Sequence, residues 1–314
     1  MKGQARFAIP LSLAPLVVLM AACASPARTP IPPSPEYVAV QASSELVVGD
    51  NRFPFVLATA DGTKALEGPE VRVQFYLLRK DSAELRAEAT GVFHKVEGIT
   101  PHRHEDGQIH QHIEKKGVYA VDKVQFDEAG VWGAEFVVAL GGRQPKVQGL
   151  AFQVLADAKT PKMGDPVPPS RNPTIADVRS IEEICTRDPP DNMHDLSVAQ
   201  ALQQGKPFVV VFSTPMFCVS RICGPVTDVV AELQGRYGDR MNFVHIEPWD
   251  LQVARGEGRL ILTDISKEWN LPSEPWVFVV NGDGRVAARF EGAVSGEELE
   301  KAFQQVLNSQ RGGY

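Results

Sequence analysis

The sequence predicts two domains, an all-β sandwich followed by an α/β domain, and three observations carry that reading. Residues 37–157 hold seven short segments that are β-branched or alternate polar with apolar, with no convincing helix between them. Residues 195–314 instead alternate apolar strands with helical segments in the order β-α-β-α-β-β-α. Between the two lies a Pro-rich stretch, Lys159 to Pro173 (KTPKMGDPVPPSRNP), so residues 158–194 read as a linker.

The chain has 314 residues, of which 43% are hydrophobic and 23% charged, ordinary proportions for folded protein. Its 32 basic and 39 acidic residues leave a net charge of −7, and no Lys/Arg block is present, which argues against nucleic acid as a partner.

The N-terminus carries Lys2 and Arg6, an apolar run from Phe7 to Ala22, and then Cys23. A basic start followed by a short apolar segment is the pattern of a secretory signal. The junction Met20-Ala21-Ala22-Cys23 resembles a bacterial lipobox, with Met20 where that family usually has Leu. The resemblance implies removal of residues 1–22 and acylation of Cys23, giving an extracytoplasmic lipoprotein held to the membrane through its lipid. Residues 23–36 contain five prolines and read as an extended tether.

In the all-β region the expected strands are Glu45–Val48, Phe53–Ala58, Glu70–Leu78, Glu84–Phe93, Gly117–Gln125, Gly133–Leu140 and Gln148–Leu155. The pieces Gly117-Val118-Tyr119 and Ala129-Gly130-Val131-Trp132-Gly133 resemble FixH/YtkA-like domains. That resemblance implies an immunoglobulin-like sandwich of a kind found in copper-handling and oxidase-assembly proteins.

In the α/β region a helical segment, Leu196–Gln204, leads to the apolar strand Pro207–Phe212, a loop with two cysteines, and a helix from about Gly224 to Tyr237. The strand Met241–Ile246 ends before Pro248, and an insertion, Leu251–Gly258, precedes a helical piece, Leu262–Trp269. Strands Trp276–Asn281 and Arg285–Phe290 flank the turn Gly282-Asp283-Gly284 as a hairpin. A last helix starts at Ser295, with Glu298 completing a capping box.

Cys223-Gly224-Pro225 follows a buried strand and opens a helix, and Glu274-Pro275 precedes a later strand. These features resemble the thioredoxin fold, in which the first triplet begins the active-site motif and a cis-proline faces it. The resemblance implies a cis Pro275 beside a reactive pair, Cys218 and Cys223. A helix N-terminus lowers a cysteine pKa, so Cys223 is expected to be the attacking thiol and Cys218 the resolving one. Two departures stand out. Val226 replaces the second motif cysteine, and Val211 occupies the strand position where thioredoxins bury an acid. A static disulfide competes with the reactive reading. Arg221 between the cysteines favours a thiolate if it faces one, and Cys185 is either a further resolving thiol or a buried side chain.

Five of the seven histidines fall between residues 94 and 112. His102-Arg-His104 and His110-Gln-His112 are two His-x-His clips, and alternate strand residues share a face. A two-residue Asp106-Gly107 turn puts the clips on opposite faces, whereas a three-residue Glu105-Asp106-Gly107 loop puts all four histidines on one face. That face suits copper or zinc, against the alternative of a polar loop. His194 and His245 read as isolated, His245 as a core residue.

Three functions compete. The first is a membrane-anchored thiol–disulfide oxidoreductase of thioredoxin type, acting on protein thiols or disulfides and requiring no cofactor. The second is a Sco-like copper-handling lipoprotein, although the spacing here is CxxxxC where that family has CxxxC. The third is a non-catalytic binding lipoprotein.

Overall fold

The computed structural model describes residues 34–103, 109–218 and 222–311. Cys23, His104 and Arg221 therefore lie outside the described residues, as does the expected signal segment.

Eight strands make up the all-β region: β1 (Tyr37–Gln41), β2 (Gly49–Thr59), β3 (Val71–Arg79), β4 (Ser82–Arg103), β5 (Ile109–Phe126), β6 (Gly130–Val138), β7 (Val147–Gln148) and β8 (Leu150–Val154). They hydrogen-bond in the order β7-β1-β2-β5-β4-β3-β6-β8. The long strand β4 changes partner midway: its first half, Ser82–Gly91, pairs with β3, and Val92–Arg103 pairs with β5. The two halves of the order then face each other across an aromatic core. Phe53 of β2 meets Phe75 of β3 at 5.0 Å between ring centroids, and Phe55 of β2 meets Phe136 of β6 at 4.8 Å. None of these strands are sheet neighbours, so the contacts run between layers. Each ring buried this way contributes roughly 1.5–3 kcal/mol over an exposed one.

The domain is β-rich, as its composition of alternating segments implies, but the strand order does not mark it as immunoglobulin-like. The expected strand Glu45–Val48 supplies only a bridge from Val47 to Leu155. The expected Gln148–Leu155 is broken at Gly149, where a Cβ would meet the Ala134 carbonyl oxygen at 2.5 Å. Gly117 has a different reason to be glycine: the Phe93 ring lies over it, and a Cβ there would meet the ring at 2.1 Å. The β4–β5 ladder runs well beyond the expected strand ends, pairing Thr100 with His112, His102 with His110 and Arg103 with Ile109.

The α/β region contains α1 (Val198–Gln203), β9 (Phe208–Phe212), α2 (Cys223–Tyr237), β10 (Asn242–Ile246), α3 (Leu251–Glu257), α4 (Asp264–Glu268), β11 (Trp276–Val280), β12 (Val286–Glu291) and α5 (Gly296–Arg311). The insertion after β10 is thus a short helix, capped by Asp250, whose carboxylate accepts the Gln252 and Val253 N–H groups. The sheet order is β10-β9-β11-β12, with β10 parallel to β9 and β11 antiparallel to both β9 and β12. Every residue of β9 and β11 is buried, as expected of central strands covered on both faces. Val209, Val211, Val277 and Val279 face one cluster with α2 and α5, while Phe208, Val210, Phe212 and Phe278 face the other with α1 and Trp269. Val96 of β4 and Val118 of β5 join the first cluster, so the β4–β5 ladder packs over the α2–α5 layer.

The Pro-rich segment is more than a spacer. Near its start, Gly164 donates to the Val286 carbonyl of β12 and Val167 to the Gly284 carbonyl of the turn before it; near its end, the Met193 carbonyl accepts the His245 N–H of β10 at 2.8 Å. It therefore covers both edges of the four-stranded sheet, which otherwise present unpaired backbone groups. Among the described residues, no helix is long and apolar enough to cross a membrane.

Candidate thiol site

The site forms where β9 gives way to α2. Cys223 is the first residue of α2, and the preceding Ile222 offers no side-chain cap. A helix begins with orphan N–H donors, and here the Cys223 N–H donates to the Sγ of Cys218 at 3.3 Å. The half-buried Cys218 thus serves as the helix cap from the preceding loop. The Cys223 carbonyl is fixed in turn: it accepts from Ser213 Oγ at 3.1 Å and Thr227 Oγ1 at 2.8 Å.

The loop before β11 brings in a third group. The Glu274–Pro275 bond is cis, and a Glu274 carboxylate oxygen lies with the two cysteine sulfurs, all within 4.8 Å of one another. Burial, together with the charge of Cys218, pushes the Glu274 carboxyl up to about 7. Cys218, Cys223 and Pro275 therefore belong to one site, and Glu274 joins it. In the sequence Glu274 stands out only as the residue before the proline; Val211 leaves the usual buried acid out of β9, and this carboxyl approaches the sulfurs from another loop.

One expectation is overturned. Cys223 was to gain the field of the helix terminus and ionise readily. The structure buries it completely, and burial, followed by its hydrogen bond with Cys218, pushes its thiol well above the ordinary cysteine range. The helix-terminal N–H points at Cys218 instead. Position in sequence places Cys223 at the helix start correctly, but does not show which sulfur its N–H faces.

The remaining candidates fall elsewhere. Cys185 is buried with Asp191, His194 and His245, whose donor atoms all lie within 4.8 Å. The two histidines that read as isolated are neighbours, with ring centroids 4.9 Å apart. No local signal reveals this, because Cys185 and His245 are far apart in the chain. In the histidine segment, the register of His102 opposite His110 is that of the three-residue loop, and the loop and His104 lie outside the described residues.

Residues 195–307 match the thioredoxin-like domain family, and this part of the chain is a thioredoxin-like domain. Among solved structures, a thiol:disulfide interchange protein, a thioredoxin family protein from Chlorobium tepidum TLS, is 17% identical; the match covers 48% of this chain and 99% of that one, with a TM-score of 0.30. No curated protein matches the chain.

Proposed function

We propose that the chain is a membrane-anchored, extracytoplasmic thiol–disulfide oxidoreductase in which Cys218 attacks and Cys223 resolves. The observation that carries this is the 3.3 Å hydrogen bond from the Cys223 N–H to Cys218 Sγ, which favours negative charge on the more accessible sulfur. In the reducing direction, the Cys218 thiolate attacks one sulfur of a substrate disulfide and expels the other as a thiolate. Cys223 then gives its proton to the Glu274 carboxylate and attacks Cys218 Sγ, expelling the second substrate sulfur as a thiolate that takes the proton from Glu274, while the first takes one from solvent. The pair ends as a disulfide and the substrate as a dithiol; a partner dithiol resets the pair. Cys23 supplies the lipid anchor, in keeping with the lipobox-like junction.

A second reading, copper handling, is favoured by the register that sets His102 opposite His110 and by the FixH/YtkA-like pieces of the β-domain. In it, Cys218 and Cys223 take copper as a ligand pair, and His102, His104, His110 and His112 hold metal on the β-domain.

Redox titration of the full chain against glutathione buffers, read by mass-resolved alkylation, tests the proposal. One transition that converts Cys218 and Cys223 together supports it. A pair that stays alkylatable across the range and is protected only by added copper favours the second reading, and a pair that stays oxidised throughout favours a static disulfide.

A further inference from the structure

We propose that Cys185, Asp191, His194 and His245 form a closed structural site for one zinc-class divalent cation, fastening the Pro-rich segment to β10. All four side chains are more than nine-tenths buried: Cys185 and His245 are 1% exposed, His194 3% and Asp191 8%. Burying four ionisable groups together is costly unless something balances their charge and lone pairs.

The hydrogen bonds orient the donors inward. His245 Nε2 lies 3.1 Å from the Ser213 carbonyl oxygen, which only accepts, so Nε2 carries the hydrogen. A ring nitrogen anchored on a backbone carbonyl is the usual outer-shell arrangement of a metal-binding histidine. It leaves Nδ1 as the ligand atom, facing Asp191 Oδ2 at 2.8 Å. A nitrogen lone pair and a carboxylate oxygen so placed require a cation between them, either a proton or a metal ion. Asp191 is itself fixed by the Met193 N–H, which donates to Oδ1 at 3.0 Å. The Cys185 sulfur stands 3.8 Å from Asp191 Oδ2. His194 Nε2 is buried 3.3 Å from Asp191 Oδ1 yet makes no hydrogen bond of its own.

A proton satisfies one pair of these atoms; a metal ion satisfies four. Tetrahedral zinc, with bonds of about 2.0–2.3 Å, separates its donors by about 3.3–3.8 Å; here the four donor atoms lie within 4.8 Å of one another, with contacts of 2.8, 3.3 and 3.8 Å to the Asp191 carboxylate. One sulfur, two imidazole nitrogens and one carboxylate oxygen suit zinc among the common divalent ions. The ion's two charges cancel those of the Cys185 thiolate and Asp191 carboxylate, leaving a neutral buried centre. Binding releases the Cys185 proton and the one at His245 Nδ1 to solvent. With four protein ligands and no access for solvent, the site has no open position for chemistry, which makes its role structural.

The test uses the full chain, stripped with a chelator and reloaded with zinc or cobalt alone. We expect one zinc retained per chain, a zinc-dependent rise in Tm, and a cobalt spectrum with tetrahedral visible bands and a thiolate charge-transfer band. Cys185→Ser should abolish the charge-transfer band; Cys218→Ser/Cys223→Ser and the four-histidine variant at 102, 104, 110 and 112 should keep it. Should Cys185→Ser fail to fold, zinc X-ray absorption of the wild-type chain decides: one sulfur and three nitrogen or oxygen neighbours support the site. Failure to retain zinc, two sulfur neighbours, or a band that follows Cys218 and Cys223 would overturn it.

Discussion

The backbone N–H of Cys223 donates to the sulfur of Cys218, five residues earlier in the chain. On this bond rests the proposed division of labour between the two cysteines, the reverse of the one expected from the sequence. The sulfur at the helix start is sealed in the core, and the sulfur in the loop receives the helix's unpaired donor. Because the thiolate is the nucleophile, accessibility and the helix field together favour Cys218 as the attacking sulfur in the proposed reaction.

Alkylation kinetics follow from that division. In the reduced chain near neutral pH, an iodoacetamide-type reagent should label Cys218 at least about tenfold faster than Cys223, since each unit of raised pKa cuts the thiolate fraction about tenfold. Mass-resolved time courses measure both rates in one sample. Equal rates would return the attacking role to Cys223.

Glu274 gives the site a pH dependence. Its carboxyl is pushed up to about 7, so it is protonated below neutrality and ionised above, where its charge opposes a thiolate on Cys218. Glu274→Gln should therefore raise the Cys218 alkylation rate above pH 7 and remove the inflection near 7 from its pH profile, while slowing the resolving step that needs a proton acceptor. The stability effect has a definite sign. Between the ordinary value of 4.5 and about 7 the folded chain holds a proton that the unfolded chain has lost, so stability declines as pH rises through that window and is level above it. The glutamine variant should lack this slope in urea titrations.

Much of the α/β region is legible because its signals are local. β9 and β11 are runs of Val and Phe buried on both faces, and Ser295 does meet Glu298: the Ser295 N–H donates to the carboxylate at 2.9 Å and the Glu298 N–H to Ser295 Oγ at 3.3 Å. Distant relationships are not legible. Cys185 and His245 meet only because the Pro-rich segment returns along β10, and no periodicity encodes that path. β1 escapes notice because it directly follows the prolines of the tether. β4 and β5 outrun their expected ends because Pro101 and the charged, His-rich stretch break the strand pattern while backbone pairing continues. The course of β4 through two pairings also cannot be read from alternation, which shows which residues share a face and not which strand they pair with.

The contact between the two regions includes a buried ion pair. Arg52 of β2 bonds Glu298 of α5 at 2.8 Å, with the side chains 10% and 7% exposed. Burial alone would raise the Glu298 carboxyl, yet the charges of Arg52 and His94 hold it below the usual carboxylate range. Arg52→Ala leaves the Glu298 carboxylate buried without its guanidinium partner and should cost about 3–5 kcal/mol, read as a lower urea midpoint. A carboxyl held low stabilises the fold above the ordinary carboxylate range and loses that contribution as pH falls, so the deficit of the variant should shrink in acid.

Anchoring is tested separately from chemistry. Cys23→Ala should move the chain from the membrane fraction to the soluble fraction, or block its processing, without changing the alkylation rates of Cys218 and Cys223. Unchanged detergent partitioning would remove the lipoprotein proposal and leave the thiol site intact.

The division of roles between the cysteines is tested most directly by trapping. Single Cys218→Ser and Cys223→Ser variants of the full chain are exposed to disulfide-bonded protein substrates and quenched with alkylating reagent. Mixed disulfides are then counted on nonreducing gels and located by mass spectrometry. With Cys218 as the attacking sulfur, Cys223→Ser should accumulate mixed disulfides at Cys218, because the resolving thiol is gone, and Cys218→Ser should accumulate few. Abundant adducts at Cys223 in Cys218→Ser, or none in either variant, would contradict the account.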